Sequence, residues 1–122
     1  MIHGIGLDIV ELKRIESVFI RRAEFARRIL TATELSTFYS LTGKRKIEFL
    51  AGRFAAKEAF AKALGCGIGK ELSFQDMEIR ASATGKPWMH LLKKTGYSTL
   101  NHVSITHTRE CAAAQVIIES KE

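Results

Sequence analysis

The sequence has 122 residues, 46% hydrophobic and 26% charged, with a formal net charge of +6. That size fits a single domain with a modest core, and the composition excludes a disordered chain. No stretch is long and apolar enough for a membrane span, and the N-terminus lacks the basic start and apolar run of a signal peptide. A cytoplasmic chain with no membrane partner is therefore expected.

Residues 2–10 predict a strand in which Ile5, Leu7 and Ile9 alternate with Gly4, Gly6 and Asp8. Residues 11–29 predict one or two Arg-rich helices with an apolar stripe through Ile15, Val18 and Phe19, continued by Phe25, Ile29 and Leu30. The next helix is expected to start at Thr33, with that residue as its cap and Glu34 in its first turn. Residues 44–64 are the strongest helical signal, and Gly65 stands where a C-terminal cap glycine belongs. Residues 73–80 and 88–92 read as short strands, with a turn at Gly85-Lys86-Pro87. Residues 102–108 and 112–119 read as an antiparallel pair around a turn near Arg109-Glu110. Strand, helices, then strands is an α+β order: an N-terminal strand and helices followed by antiparallel strands around a long central helix, all one domain over 1–122.

Glu58 stands out. At about 100° per residue it falls among Ile47, Leu50, Ala51, Phe54 and Ala61. Phe49, Ala56, Phe60 and Leu64 form a second stripe, so the helix is central or sits at an interface. A carboxylate on an apolar face is paired, neutralised or metal-bound. An (i, i+4) ion pair with Lys62 is one answer, and a metal is another. Asp8 is similarly open. Its spacing to Glu11 is that of a capping box, yet it shares a strand face with Gly4 and Gly6, where another group can approach closely. Two carboxylates and waters suit Mg²⁺ when a ligand's phosphates complete the shell.

The remaining features divide in the same way. Lys13, Arg14, Arg21, Arg22, Arg27 and Arg28 face only Glu16 and Glu24, so residues 13–28 are either a solvated face or a surface for an acidic partner. Cys66 and Cys111 lack zinc spacing and are expected as free thiols. The glycines from Gly65 to Gly69 are no phosphate loop, because they follow a helix and no Ser or Thr succeeds Lys70. A small basic nucleic-acid-binding protein is the alternative class, but it leaves Glu58 unexplained and lacks clustered aromatics for stacking bases.

Gly4-Ile5-Gly6-Leu7-Asp8-Ile9-Val10-Glu11 resembles the first signature of the 4′-phosphopantetheinyl transferases. Arg53-Phe54-Ala55-Ala56-Lys57-Glu58-Ala59-Phe60-Ala61-Lys62-Ala63 resembles the second. Leu50-Ala51-Gly52-Arg53, Leu72-Ser73-Phe74, Gly85-Lys86-Pro87 and the run from His102 to Thr108 extend the likeness to the short bacterial group, and residues 93–101 match least. The resemblance implies that fold and a reaction: the 4′-phosphopantetheine arm passes from coenzyme A to a serine of apo-acyl carrier protein. It implies Mg²⁺ held by Asp8 and Glu58, and Lys62 at the pyrophosphate. Lys44, Arg45 and Arg53 are candidates for the 3′-phosphate, and Gly65, Pro87 and His107 for other coenzyme A contacts. His107, beside Val103 and Ile105, reads equally well as a core histidine. The resemblance further implies carrier-protein docking on Arg14, Val18, Arg21 and Phe25, and a homotrimer with sites at subunit boundaries.

Overall fold

Strand β1 (Ile2–Glu11) opens the chain in a computed structural model that describes residues 1–93 and 100–120. Helices α1 (Leu12–Arg21), α2 (Glu24–Ile29), α3 (Ala32–Ser40) and α4 (Gly43–Leu64) follow. A 3₁₀ turn at Phe74–Asp76 then leads to β2 (Met77–Ala81), β3 (Pro87–Leu91), β4 (Asn101–His107) and β5 (Cys111–Glu119). This is the α+β order the sequence predicts. Most of the segment that least resembles the family, residues 94–99, lies outside the described residues.

The antiparallel sheet runs β1-β5-β4, and β2 and β3 form a separate antiparallel hairpin. One side chain bridges the two sheets: the Asn101 amide accepts from the Met89 N–H and donates to the Met89 carbonyl, each at 2.9 Å. Helix α4 crosses the larger sheet. Its 22 residues span about 33 Å at 1.5 Å each. Leu50, Ala51, Ala55, Ala56, Ala59, Phe60 and Ala61 are inaccessible, so the helix is central, as its two apolar stripes predict. The alanines keep it thin enough for β1 to lie against it. Gly4 and Gly6 complete that fit: a Cβ would stand 1.9 Å from the Ala63 carbonyl oxygen at Gly4 and 1.7 Å from the Ala59 oxygen at Gly6. At both sites a side chain would force strand and helix apart, because the contact is with helix backbone.

One buried cluster joins the second half of α4 to β5, β4, β2 and β3, through Phe60, Leu72, Met77, Met89, Val116 and Ile118. The other joins its first half to α1, α2 and α3, through Ile15, Ile29, Leu30, Phe38 and Leu50. Gly65 ends α4 at φ +83°, donating its N–H to the Ala61 and Lys62 carbonyls as a left-handed cap should.

Two expectations about caps are corrected. Thr31, and not Thr33, caps α3: its hydroxyl accepts from the Glu34 N–H at 3.4 Å, and Glu34 Oε1 accepts from the Thr31 N–H at 2.9 Å. Glu34 must sit at the third helical position to reach back, which fixes the cap three residues earlier. Asp8 caps nothing. Strand β1 continues to Glu11, which pairs with Cys111, and α1 begins only at Leu12.

Candidate active site

The pleat of β1 turns Gly4, Gly6, Asp8 and Val10 toward α4 and leaves Ile5, Leu7 and Ile9 on the outer face. Because the glycines bring strand and helix together, Asp8 meets the last turns of α4. Lys62 Nζ donates to Asp8 Oδ1 at 2.9 Å and to the Leu7 carbonyl at 3.1 Å. This replaces the expected Glu58–Lys62 ion pair: the strand offers two acceptors at once, and Glu58 keeps no hydrogen-bond donor among the described residues.

The two carboxylates are thus unequal. Asp8 is 15% exposed at its side chain, and its Oδ2 is buried with no partner. Glu58 is half-buried, and burial raises its pKa above the ordinary value. The neighbouring Asp8 charge raises it further, while Lys62 opposes both. Together Asp8, Glu58 and Lys62 line a cleft of about 380 Å³, walled on the other side by Arg14, Val18, Phe25 and Phe54. A buried carboxylate oxygen without a donor, beside a second carboxylate, is a setting that a small hard cation satisfies. No group of three or more His, Cys, Asp or Glu gathers among the described residues, so ligand oxygens and waters would have to complete the shell.

The docking candidates divide around one wall. Arg14, Val18 and Phe25 face the carboxylate cleft, whereas Val18 and Phe25 also line a second cleft of about 360 Å³ with Arg21, Arg22, Glu24 and Arg28. The coenzyme A candidates are scattered. Gly65 caps α4 near Lys62, and Pro87 opens β3 after Gly85 at φ +86°. Lys44 and Arg45 are exposed in the first turn of α4, about 27 Å along the helix from Lys62. Lys44 lines a third cleft with Lys13, Lys46 and Arg109. The Arg53 guanidinium lies over the Phe49 ring at 4.2 Å, its Nε is buried without a partner, and burial pushes its pKa down. His107 ends β4 with Nδ1 3.4 Å from Glu48. One chain therefore assembles Asp8, Glu58, Lys62, Arg14, Val18 and Phe25, but does not bring Lys44 or Arg45 to them.

Sequence reasoning missed Lys57. It is inaccessible and pairs with Glu34 at 2.6 Å. Burial pushes its pKa down, and Glu34 pulls it back up. The same wheel that singles out Glu58 shows Lys57 between Phe54, Phe60 and Ala61. Cys66 and Cys111 are both free, as expected.

Residues 4–116 match the sequence profile of the 4′-phosphopantetheinyl transferase superfamily. The chain belongs to that superfamily. Among its relatives, the holo-[acyl-carrier-protein] synthase of Bacillus subtilis (strain 168) is 62% identical over 119 residues, covering 98% of this chain and 97% of that protein. A crystal structure of a holo-(acyl-carrier-protein) synthase from Bacillus anthracis in complex with CoA (3′,5′-ADP) superposes with a TM-score of 0.89 at 50% identity, covering 99% of each chain. The Helicobacter pylori synthase in complex with coenzyme A gives a TM-score of 0.82 at 38% identity, covering 94% of this chain and 99% of that one. A phosphopantetheinyl transferase built on this α+β frame gives no support to the nucleic-acid alternative. No helix among the described residues is long and apolar enough to cross a membrane.

Proposed function

We propose that this transferase moves 4′-phosphopantetheine from coenzyme A to a serine hydroxyl of apo-acyl carrier protein, in the cytoplasm, in support of fatty acid synthesis. The observation that carries the reading is the buried, partnerless Oδ2 of Asp8 beside Glu58, in a cleft walled by Arg14, Val18 and Phe25. The serine oxygen forms a bond to the β-phosphorus, the pyrophosphate bridge breaks, and adenosine 3′,5′-bisphosphate leaves. Asp8 and Glu58 are the residues that would hold Mg²⁺, which, when bound, polarises the attacked phosphate and screens charge on the leaving one.

A carboxylate of the site, acting directly or through a water, takes the serine proton. Lys62, held by Asp8 and the Leu7 carbonyl yet 52% exposed, presents a point charge to the pyrophosphate. Arg14 and Arg21 meet acidic groups of the carrier protein, and Val18 and Phe25 receive its apolar residues. Gly65, Pro87 and His107 are assigned to coenzyme A.

The functional unit is proposed to be a homotrimer of the single domain 1–122. Ile5, Leu7 and Ile9 are 58%, 63% and 67% exposed in a row on the outer face of β1, which a second copy would cover. Lys44, Arg45 and Lys46 crowd the positive end of α4, with no acidic residue in its first turn. That arrangement opposes the helix dipole and favours an anion there, such as the 3′-phosphate of coenzyme A held by a neighbouring copy. Arg53 is assigned to the same phosphate.

The test is to incubate the chain with coenzyme A, Mg²⁺ and apo-acyl carrier protein and to weigh the carrier protein. Its mass should rise by one phosphopantetheine with the wild type and not with Asp8→Ala or Glu58→Ala. No mass gain with the wild type refutes the reading, and near-full activity in either variant refutes that carboxylate's role.

A further inference from the structure

Lys57 has no part in the chemistry above, yet its ammonium is fully enclosed. It donates to the Ile29 carbonyl at 2.7 Å, to Glu34 Oε1 at 2.6 Å and to the Phe74 carbonyl at 3.2 Å. An ammonium has three protons, so each finds an acceptor. The acceptors come from three elements: the last residue of α2, the first turn of α3, and the 3₁₀ turn before β2. A buried ion pair is poor evidence of stabilisation, since apolar residues of similar volume serve as well or better. What it supplies is a fixed meeting point, at the residue immediately before Glu58.

The consequence can be followed through the rings. Phe25, on α2, walls the carboxylate cleft and packs against Phe54 with centroids 6.0 Å apart. Phe54 in turn stacks on Phe74 at 5.6 Å. Lys57 holds the backbone of Phe74 itself and, through Ile29, the end of the helix that bears Phe25. Both ends of the Phe25-Phe54-Phe74 run are therefore drawn onto α4 at one place. We propose that Lys57 is a positioning residue that sets the Phe25 wall of the carrier-protein cleft against Glu58. The proposal rests on the reading of that cleft given under Proposed function. Lys57 touches no substrate and acts through α2 and Phe74.

Two variants test it. Lys57→Met alone would leave the Glu34 carboxylate buried without its cation, so Lys57→Met is combined with Glu34→Gln, which removes both charges and keeps a residue able to close the capping box with Thr31. Phe74→Leu leaves the ion pair intact and removes the stacking on Phe54, so it decides the matter even if the double variant does not fold. Steady-state transfer is measured well below the melting midpoint, varying carrier protein and coenzyme A separately. Each folded variant should raise KM for the carrier protein about three-fold or more, with KM for coenzyme A unchanged. A merely structural network would lower the melting temperature and the active fraction and move neither KM. A wild-type KM for carrier protein in a folded variant overturns the proposal, as does a KM for coenzyme A that rises in step. Absence of transfer by the wild-type chain instead defeats the proposed reaction itself.

Discussion

Adding one methyl group at Gly6 should separate the two carboxylates. The Cβ of Gly6→Ala would lie 1.7 Å from the Ala59 carbonyl oxygen and 2.7 Å from its carbon, where an ordinary contact begins at 3.4 Å. The obstacle is helix backbone, which no rotamer change can relieve, so β1 and α4 must part by about 1.7 Å, the difference between 3.4 and 1.7 Å. Glycine to alanine by itself favours the folded state, by about 0.5–1 kcal/mol through lost freedom of the unfolded chain. Overpacking costs about 1–3 kcal/mol or more and wins, because the clash is with main chain on both sides. We expect a net loss near 2 kcal/mol in the denaturation free energy of the metal-free chain. The rate should suffer more than the stability. Asp8 rides on β1 and Glu58 on α4, and a displacement of about 1 Å in a reacting constellation costs up to 100-fold. The assay compares urea denaturation with kcat/KM at a temperature where both proteins are folded. Gly69→Ala is the control: its Cβ meets nothing within 4 Å, so stability and rate should stay at the wild-type level. A Gly6→Ala protein as stable as wild type, or one destabilised yet fully active, would refute the idea that the strand–helix spacing sets the carboxylate pair.

Two other outcomes follow from the site and the outer face. The raised pKa of Glu58 means that the folded protein keeps that proton in a pH range where the unfolded chain, near its ordinary value of 4.5, has already lost it. Without metal, stability due to this group is therefore full below that value and is lost as pH rises through the folded pKa. Glu58→Gln should accordingly melt higher than wild type at neutral pH, with the gap closing toward pH 4, and added Mg²⁺ should raise the wild-type midpoint more than that of the variant. Equal midpoints at neutral pH would show that burial places no strain on Glu58. If copies assemble through β1 as proposed, Leu7→Lys, which puts a charge on its outer face, should yield a folded species of lower mass in sedimentation, with transfer reduced about ten-fold or more; an unchanged mass would refute assembly through β1.

Much of the fold was legible because its signals are local. The alternation in β1, the long apolar pattern of α4 and the cap at Gly65 each lie within one element, and the structure places all three as read. Glu58 could be singled out for the same reason, from the apolar company it keeps. Its relation to Lys62 could not, because the preferred partner is 54 residues away on β1, and only the close packing at Gly4 and Gly6 brings Asp8 within 2.9 Å. The cap of α3 was misplaced by the presence of two threonines, Thr31 and Thr33, which only the backward reach of Glu34 tells apart. Lys57 was missed for a different reason. A lysine in a helix is ordinarily a surface residue, and its three acceptors, two of them backbone carbonyls, leave no trace in side-chain patterns.

Strand β1 presents its cleft residue and its exposed apolar row on alternating positions. Asp8 points inward to α4, and Leu7 and Ile9 point out. A shift of one residue in the pairing of Leu7 with Gln115 and Asp8 with Ala114 would turn the carboxylate outward and drive leucine onto the helix. An insertion or deletion within the strand would therefore take Asp8 out of the cleft and the apolar row off the outer face in the same event. Change along this strand is confined to substitution in place, and the two faces can be tuned only one residue type at a time.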